Sequence, residues 1–335
     1  MAVDGPGATE SPSAGAVPGV LRLAFSDESE ATSEALSEEV VRAAEILGLA
    51  DRIAERFPDR APQRWRESLR RQASGAILLE VALERVAQAA ASRATPLILL
   101  KGMALIRGGF TSPGRRPLAD LDVLVAPDAV PALEERLRAG GFEPYEEPEG
   151  AYHHHRAPLI HPELGVVEIH TRLPGVRMGV AEATAEAVLG GDLAMPDTGL
   201  GSVHVPRPAL LAAHTIAHCL YQERYLGTGI GFFRMLGDLV DLEREGGVGG
   251  AVEAARPFVA GVLPEADLET LGALVRALRR GEVPEEAAWG MVDRFVGAAL
   301  RPEETRTRLR WKRRWHVLRM RGGWRRLLAR IVPWR

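Results

Sequence analysis

Arg116-Pro117-Leu118-Ala119-Asp120-Leu121-Asp122-Val123-Leu124-Val125 is the stretch that decides the fold. Successive side chains of a strand point to opposite faces, so the alternation puts the Asp120 and Asp122 carboxylates together on one face of a short apolar strand. Two like charges held that close call for a cation. Upstream, Leu97-Ile98-Leu99-Leu100 reads as an apolar strand that runs into Lys101-Gly102-Met103-Ala104 at a helix start. Downstream, Val166-Val167-Glu168-Ile169-His170 alternates again and offers a third carboxylate, with His170 two residues further along the same strand face.

Acidic pairs at strand ends also occur on solvated faces, and it is the conjunction of these segments that points to chemistry. Hard cations such as Mg²⁺ take carboxylate oxygens and keep several waters. Two of them a few Å apart can stabilise the attacking and leaving oxygens of an in-line displacement at phosphorus, which takes about three convergent carboxylates. Asp120, Asp122 and Glu168 are therefore the candidate metal ligands and catalytic residues. Glu168 is also placed to take a proton from an acceptor hydroxyl. The helix start at Lys101 and Gly102 offers unpaired N–H groups and a partial positive charge suited to phosphate. Lysine usage points the same way: among 42 Lys plus Arg, only Lys101 and Lys312 are lysines. A compact ammonium suits a phosphate as a point charge better than a planar guanidinium does.

Apolar strand, Lys-Gly turn, arginine ahead of an Asp-x-Asp strand, and an acidic strand ending in His together resemble the nucleotidyltransferase superfamily that includes DNA polymerase beta. They most closely resemble its branch of uncharacterised bacterial nucleotidyltransferase-like proteins. The resemblance covers roughly residues 95–245. It implies an α/β fold: a small mixed sheet of the polymerase-beta type with N-terminal helices and a C-terminal helical domain. It implies transfer of a nucleoside monophosphate from an NTP such as ATP to an acceptor, with Mg²⁺, or Mn²⁺ in its place, as cofactor. It also implies nucleotide contacts from Lys101, Gly102, Met103, Arg116 and His170. Better characterised members carry Ser directly after the glycine, where Met103 stands here, and their Lys-Gly to Asp-x-Asp gap is shorter. Both departures favour a second reading, a non-catalytic module that binds nucleotide or peptide in the same cleft.

At 335 residues and 46% hydrophobic, the chain has enough apolar content for a sizeable core. Residues 1–35, rich in Ala, Gly, Pro, Ser and Glu, lack apolar periodicity and read as disordered. Helical spacing then marks 36–94, with helices expected over Glu38 to Phe57 and Pro62 to Ala94. The nucleotidyltransferase core follows at 95–205, with strands expected around Phe142 to Glu146, Tyr152 to Ile160 and Gly165 to His170 and a Gly-rich stretch near Gly190 to Gly201. A helical domain occupies 206–300, clearest at Ala209 to Glu223 and Phe232 to Glu245.

Other clusters are weaker. In His153-His154-His155, strand alternation separates His154 from its neighbours, so contact with nucleotide or substrate at the cleft edge is favoured over a Zn²⁺ site. His214 and His218 share one helix face, and the resemblance pairs that helix with one carrying Arg234 and Asp238. With no third ligand in view, these four are read as a polar interface between the helical domain and the core. Residues 301–335 hold 13 Lys plus Arg against two acidic residues, whereas the rest of the chain has 29 against 43. Trp311, Trp315 and Trp324 lie among these arginines, a pattern suited to an anionic membrane surface, to RNA, or to docking on the acidic body. A single cysteine, Cys219, no evident signal peptide and no run long enough to span a membrane lead to the expectation of a cytoplasmic protein, peripheral at the membrane if the tail binds lipid.

Overall fold

A computed structural model describes residues 14–26, 36–145, 157–197, 199–222, 229–247, 249–282 and 286–300. His153 to His155 and the tail from 301 to 335 lie outside the described residues, so the readings attached to His154 and to the tail receive no structural account.

The described residues open with a helix where none was expected. Val17–Phe25 (α1) follows a short 3₁₀ turn and buries Val20, Leu23, Ala24 and Phe25 completely. The disorder expected for 1–35 is thus corrected over 14–26: Val17, Val20, Leu21, Leu23, Ala24 and Phe25 bury enough surface to order the segment. Glu38–Leu47 (α2) and Ala50–Arg56 (α3) replace the single helix expected there. The break falls at Gly48, whose φ of +71° ends α2 in the left-handed conformation that glycine adopts without penalty. Gln63–Ala91 (α4) is the long second helix and lays Leu79, Leu83, Val86 and Ala90 into the core against the sheet.

The sheet is mixed and seven-stranded. Leu97–Leu99 (β1) leads into the helix Lys101–Arg107 (α5), then come Asp120–Leu124 (β2), the helix Val130–Ala139 (α6), Glu143–Pro144 (β3), Leu159–His161 (β4) and Gly165–His170 (β5). Next are a two-stranded hairpin, Leu173–Met178 (β6) with Ala181–Ala183 (β7), a short helix Ala185–Gly190 (α7), and the strands Ala194–Pro196 (β8) and Val203–Pro206 (β9). Across the sheet the order is β3-β4-β5-β2-β1-β9-β8. β2 runs parallel to β5 and antiparallel to β1, and β9 runs parallel to β1. β8 and β9 stand in and just after the stretch read as Gly-rich connection. They are three and four residues long, with proline at the end of each, too short for alternation to register.

Beyond the sheet the described residues are mainly helical. Pro208–Ile216 (α8) continues as a π-helical turn over Ala217–Gln222, followed by Gly229–Glu245 (α9), Ala251–Val259 (α10), Glu265–Arg279 (α11) and Glu286–Leu300 (α12). One continuous set of buried side chains runs from α1 through the sheet to α12. No helix among the described residues is long and apolar enough to cross a membrane.

Candidate active site

The site is assembled by the register of β2 against β5. Asp122 pairs with Glu168 and Leu124 with His170 across these parallel strands, so alternation sends Asp122, Glu168 and His170 to one face. One ligand atom from each of the three lies within 4.8 Å of the others, and this group could hold a metal ion. Asp120 precedes Asp122 by two residues and pairs with Val166, which places it on the same face but outside that tight group.

A positive charge is already seated among these carboxylates. Lys101 Nζ lies 2.6 Å from Asp122 Oδ1 and 3.6 Å from Glu168 Oε2. His170 Nε2 approaches the same Asp122 oxygen at 2.8 Å and Glu168 Oε2 at 3.7 Å. Lys101 is the first residue of α5 and has a φ of +50°, a left-handed conformation uncommon for a side-chain-bearing residue. The preceding Leu100 donates its N–H to the Asp122 carbonyl at 3.0 Å, which fixes the turn directly over the acidic strand. A Cβ at Gly102 would come within 2.4 Å of Leu118 Cδ2, so a larger residue there requires the leucine side chain to shift.

Electrostatics follow from the crowding. Burial alone would push Asp122 up, but Lys101 and His170 outweigh it and hold the carboxyl well below its ordinary range. Burial disfavours the Lys101 and His170 cations, yet the surrounding carboxylates raise both above their usual values. Asp120 is pushed up to about 6, first by burial and then by the Asp122 charge. Asp120 thus carries the repulsion that Lys101 and His170 relieve at Asp122.

Beside this group an open cleft separates the sheet from the helical region, lined by Lys101 and Arg116 on one side and by residues of α8, the π turn and α9 on the other. Arg116 reaches across it: its Nε lies 2.9 Å from Asp238 Oδ1, and its Nη1 donates to the Pro117 carbonyl at 3.0 Å. Arg234, one turn before Asp238, stands exposed in the same cleft. The loop that carries Arg116 is secured at further points. Thr111 Oγ1 donates to Asp241 at 2.8 Å, and Arg115 Nε donates to Glu55 at 2.9 Å. Asp241 in turn accepts from Arg52 Nη1 at 2.9 Å. The long connection before Asp120 is therefore held on α3 and α9.

Other expected site residues are distributed less closely. The Met103 side chain is 1% exposed and packs in the core, so it offers no surface to a nucleotide. His214 is buried and His218 lines the cleft, and their rings stand 6.2 Å apart. Burial holds both imidazoles in the neutral form, His218 down to about 3 and His214 well below its usual value. Among the described residues neither joins a group that could bind metal. Cys219 is buried at the cleft wall. Sequence reasoning missed the pairing of Arg116 with Asp238 and of Arg52 with Asp241, because neither partner's spacing signals the other.

Comparison with known proteins gives this geometry a class. The uncharacterised nucleotidyltransferase family matches residues 38–245, well over half of the chain and all of the elements that build the site. The protein belongs to that family. A search among curated proteins found no match.

Proposed function

We propose that this protein transfers a nucleoside monophosphate from an NTP to an acceptor hydroxyl or phosphate, releasing pyrophosphate, in the cleft beside Asp122 and Glu168. The observation that carries the reading is the convergence of Asp122, Glu168 and His170 on adjoining strands beside that cleft, in a chain of nucleotidyltransferase family. The donor set fits a hard divalent cation: carboxylate oxygens predominate, an ammonium already sits against them, and Asp120 is left with a charge that burial and Asp122 disfavour. Asp120, Asp122 and Glu168 would hold Mg²⁺ or Mn²⁺. When bound, such an ion neutralises triphosphate oxygens and stabilises the displacement at phosphorus.

The chain's own residues have separate tasks in this reading. Glu168, half-buried and opposite Asp122, takes the proton of an acceptor hydroxyl as that oxygen bonds to the α-phosphorus and pyrophosphate departs. His170 holds the Asp122 carboxylate in orientation through its 2.8 Å contact. Arg116 and Arg234 supply positive charge in the cleft for the phosphates.

Pyrophosphate release from NTP, measured with fractionated cell extract as the source of acceptor and with Mg²⁺ or Mn²⁺ present, tests the proposal. Release that depends on both extract and protein is expected and should vanish in Glu168→Gln. Nucleotide binding with no release in any fraction would instead favour a non-catalytic nucleotide-binding module.

A further inference from the structure

The ammonium of Lys101 occupies ground that a second metal ion would need. It touches Asp122 and Glu168, the two carboxylates that face each other across β2 and β5, while Asp120 stands outside the group. Both strong contacts to Asp122, from Lys101 at 2.6 Å and from His170 at 2.8 Å, fall on one oxygen, Oδ1. That oxygen is already shared between an ammonium and an imidazole, so a metal ion at the same place would have to displace a contact the protein makes to itself.

We propose that Lys101 permanently replaces one of two divalent cations, so that the site formed by Asp120, Asp122 and Glu168 takes a single divalent ion, arriving with the nucleotide. The inference rests on the metal-dependent reading above and deepens it.

Three further observations support it. The side chains are sheltered, with Lys101 18%, Asp122 2% and Glu168 19% exposed, so their attraction is weakly screened and exchange of the ammonium for a hydrated ion is opposed. The backbone leaves Lys101 little room to withdraw. Its φ of +50° is a strained conformation that persists only where the surroundings impose it, and the preceding residue is tied to the acidic strand through the Leu100 N–H to the Asp122 carbonyl. A compact ammonium is suited to this place, and a chain that writes nearly all its positive charges as arginine has lysine here.

Electron paramagnetic resonance of the full chain with Mn²⁺ and a non-hydrolysable NTP analogue tests the proposal. Wild type should retain one Mn²⁺ per chain with the spectrum of an isolated ion. Lys101→Met, with the ammonium removed, should gain a second ion and the broadened spectrum of a spin-coupled pair. A coupled pair in wild type would overturn the proposal, as would a Lys101→Met variant that still takes one ion. Absence of protein-bound Mn²⁺ from both proteins is a different result and would sink the metal-dependent reading itself. Should Lys101→Met fail to fold, lysine-selective NMR on wild type decides. With only Lys101 and Lys312 to assign, addition of Mg²⁺ and the analogue should leave the Lys101 signal in its ion-paired position, and a move to the solvent-exposed position would contradict permanence.

Discussion

Asp122 and Glu168 stand directly opposite each other on the parallel strands β2 and β5, and the Lys101 ammonium bridges them at 2.6 and 3.6 Å. From the Asp pair alone, neutralising Asp122 would be expected to relieve repulsion and leave stability unchanged or improved. The bridge reverses that expectation. Asp122→Asn should abolish turnover and also lower stability by about 1.5–3 kcal/mol, the range for a lost hydrogen bond to a charged group. Denaturant titration checks this, and an unchanged midpoint would contradict the bridge.

Asp120 should behave in the opposite sense. Its carboxyl is raised to about 6, so its stabilising contribution is fully present below the unfolded value near 3.8 and is lost as pH rises through about 6. Asp120→Asn should therefore raise stability at pH 8 by up to about 3 kcal/mol while removing activity. Melting temperatures of the two Asn variants at one pH should fall on opposite sides of wild type.

Two neutral histidines make the fold sensitive to mild acid. The folded value of His218 is depressed to about 3, and His214 is depressed as well, so the unfolded chain binds more protons below about 6.5. Their contribution is present above that pH and lost as it falls, at about 1.4 kcal/mol per pH unit for each fully titrating group. His218→Gln should flatten the loss of stability between pH 6.5 and 5. An identical slope in wild type and variant would remove His218 from the account.

Gly102 and Leu118 should be coupled through space. Gly102→Ala would bring a Cβ within 2.4 Å of Leu118 Cδ2 and should cost about 1–3 kcal/mol by overpacking. Shortening the neighbour in Gly102→Ala/Leu118→Ala should recover part of that loss. A double variant with purely additive losses would show that the glycine serves another purpose.

The Arg116–Asp238 pair should hold the cleft together as well as carry charge. Asp238 is raised by burial, with Arg116 offsetting part of the rise. A double-mutant cycle with Arg116→Met and Asp238→Asn should give a coupling energy of at least about 1 kcal/mol, and Asp238→Asn should raise KM for NTP more than it lowers kcat. Additive stabilities would mean that the two side chains meet without consequence.

The parts of this molecule that were legible in sequence are those whose signal is local. Alternation in 120–125 and 165–170 gave the strands, and their apolar faces fixed which carboxylates share a side. The left-handed turn at Lys101 was not legible, because no local pattern tells that a lysine at a helix start will fold back onto the next strand instead of facing solvent. The N-terminal helix α1 was hidden by its Ala-, Gly- and Pro-rich surroundings, although Val20, Leu21, Leu23, Ala24 and Phe25 were a signal that a shorter window would have caught. The ties of Arg116 to Asp238 and of Arg52 to Asp241 join residues more than a hundred positions apart, so only tertiary packing could disclose them.

The most direct test of the central claim follows the label. An NTP carrying radioactive phosphorus at the α position, incubated with the protein, a divalent ion and fractionated extract, should pass its label to an acceptor, while the same NTP labelled at the γ position should leave its label in pyrophosphate. Both results should disappear in Asp122→Asn. Transfer of the γ label to an acceptor, or α-label transfer that persists undiminished without the Asp122 carboxylate, would contradict nucleotidyl transfer at this site.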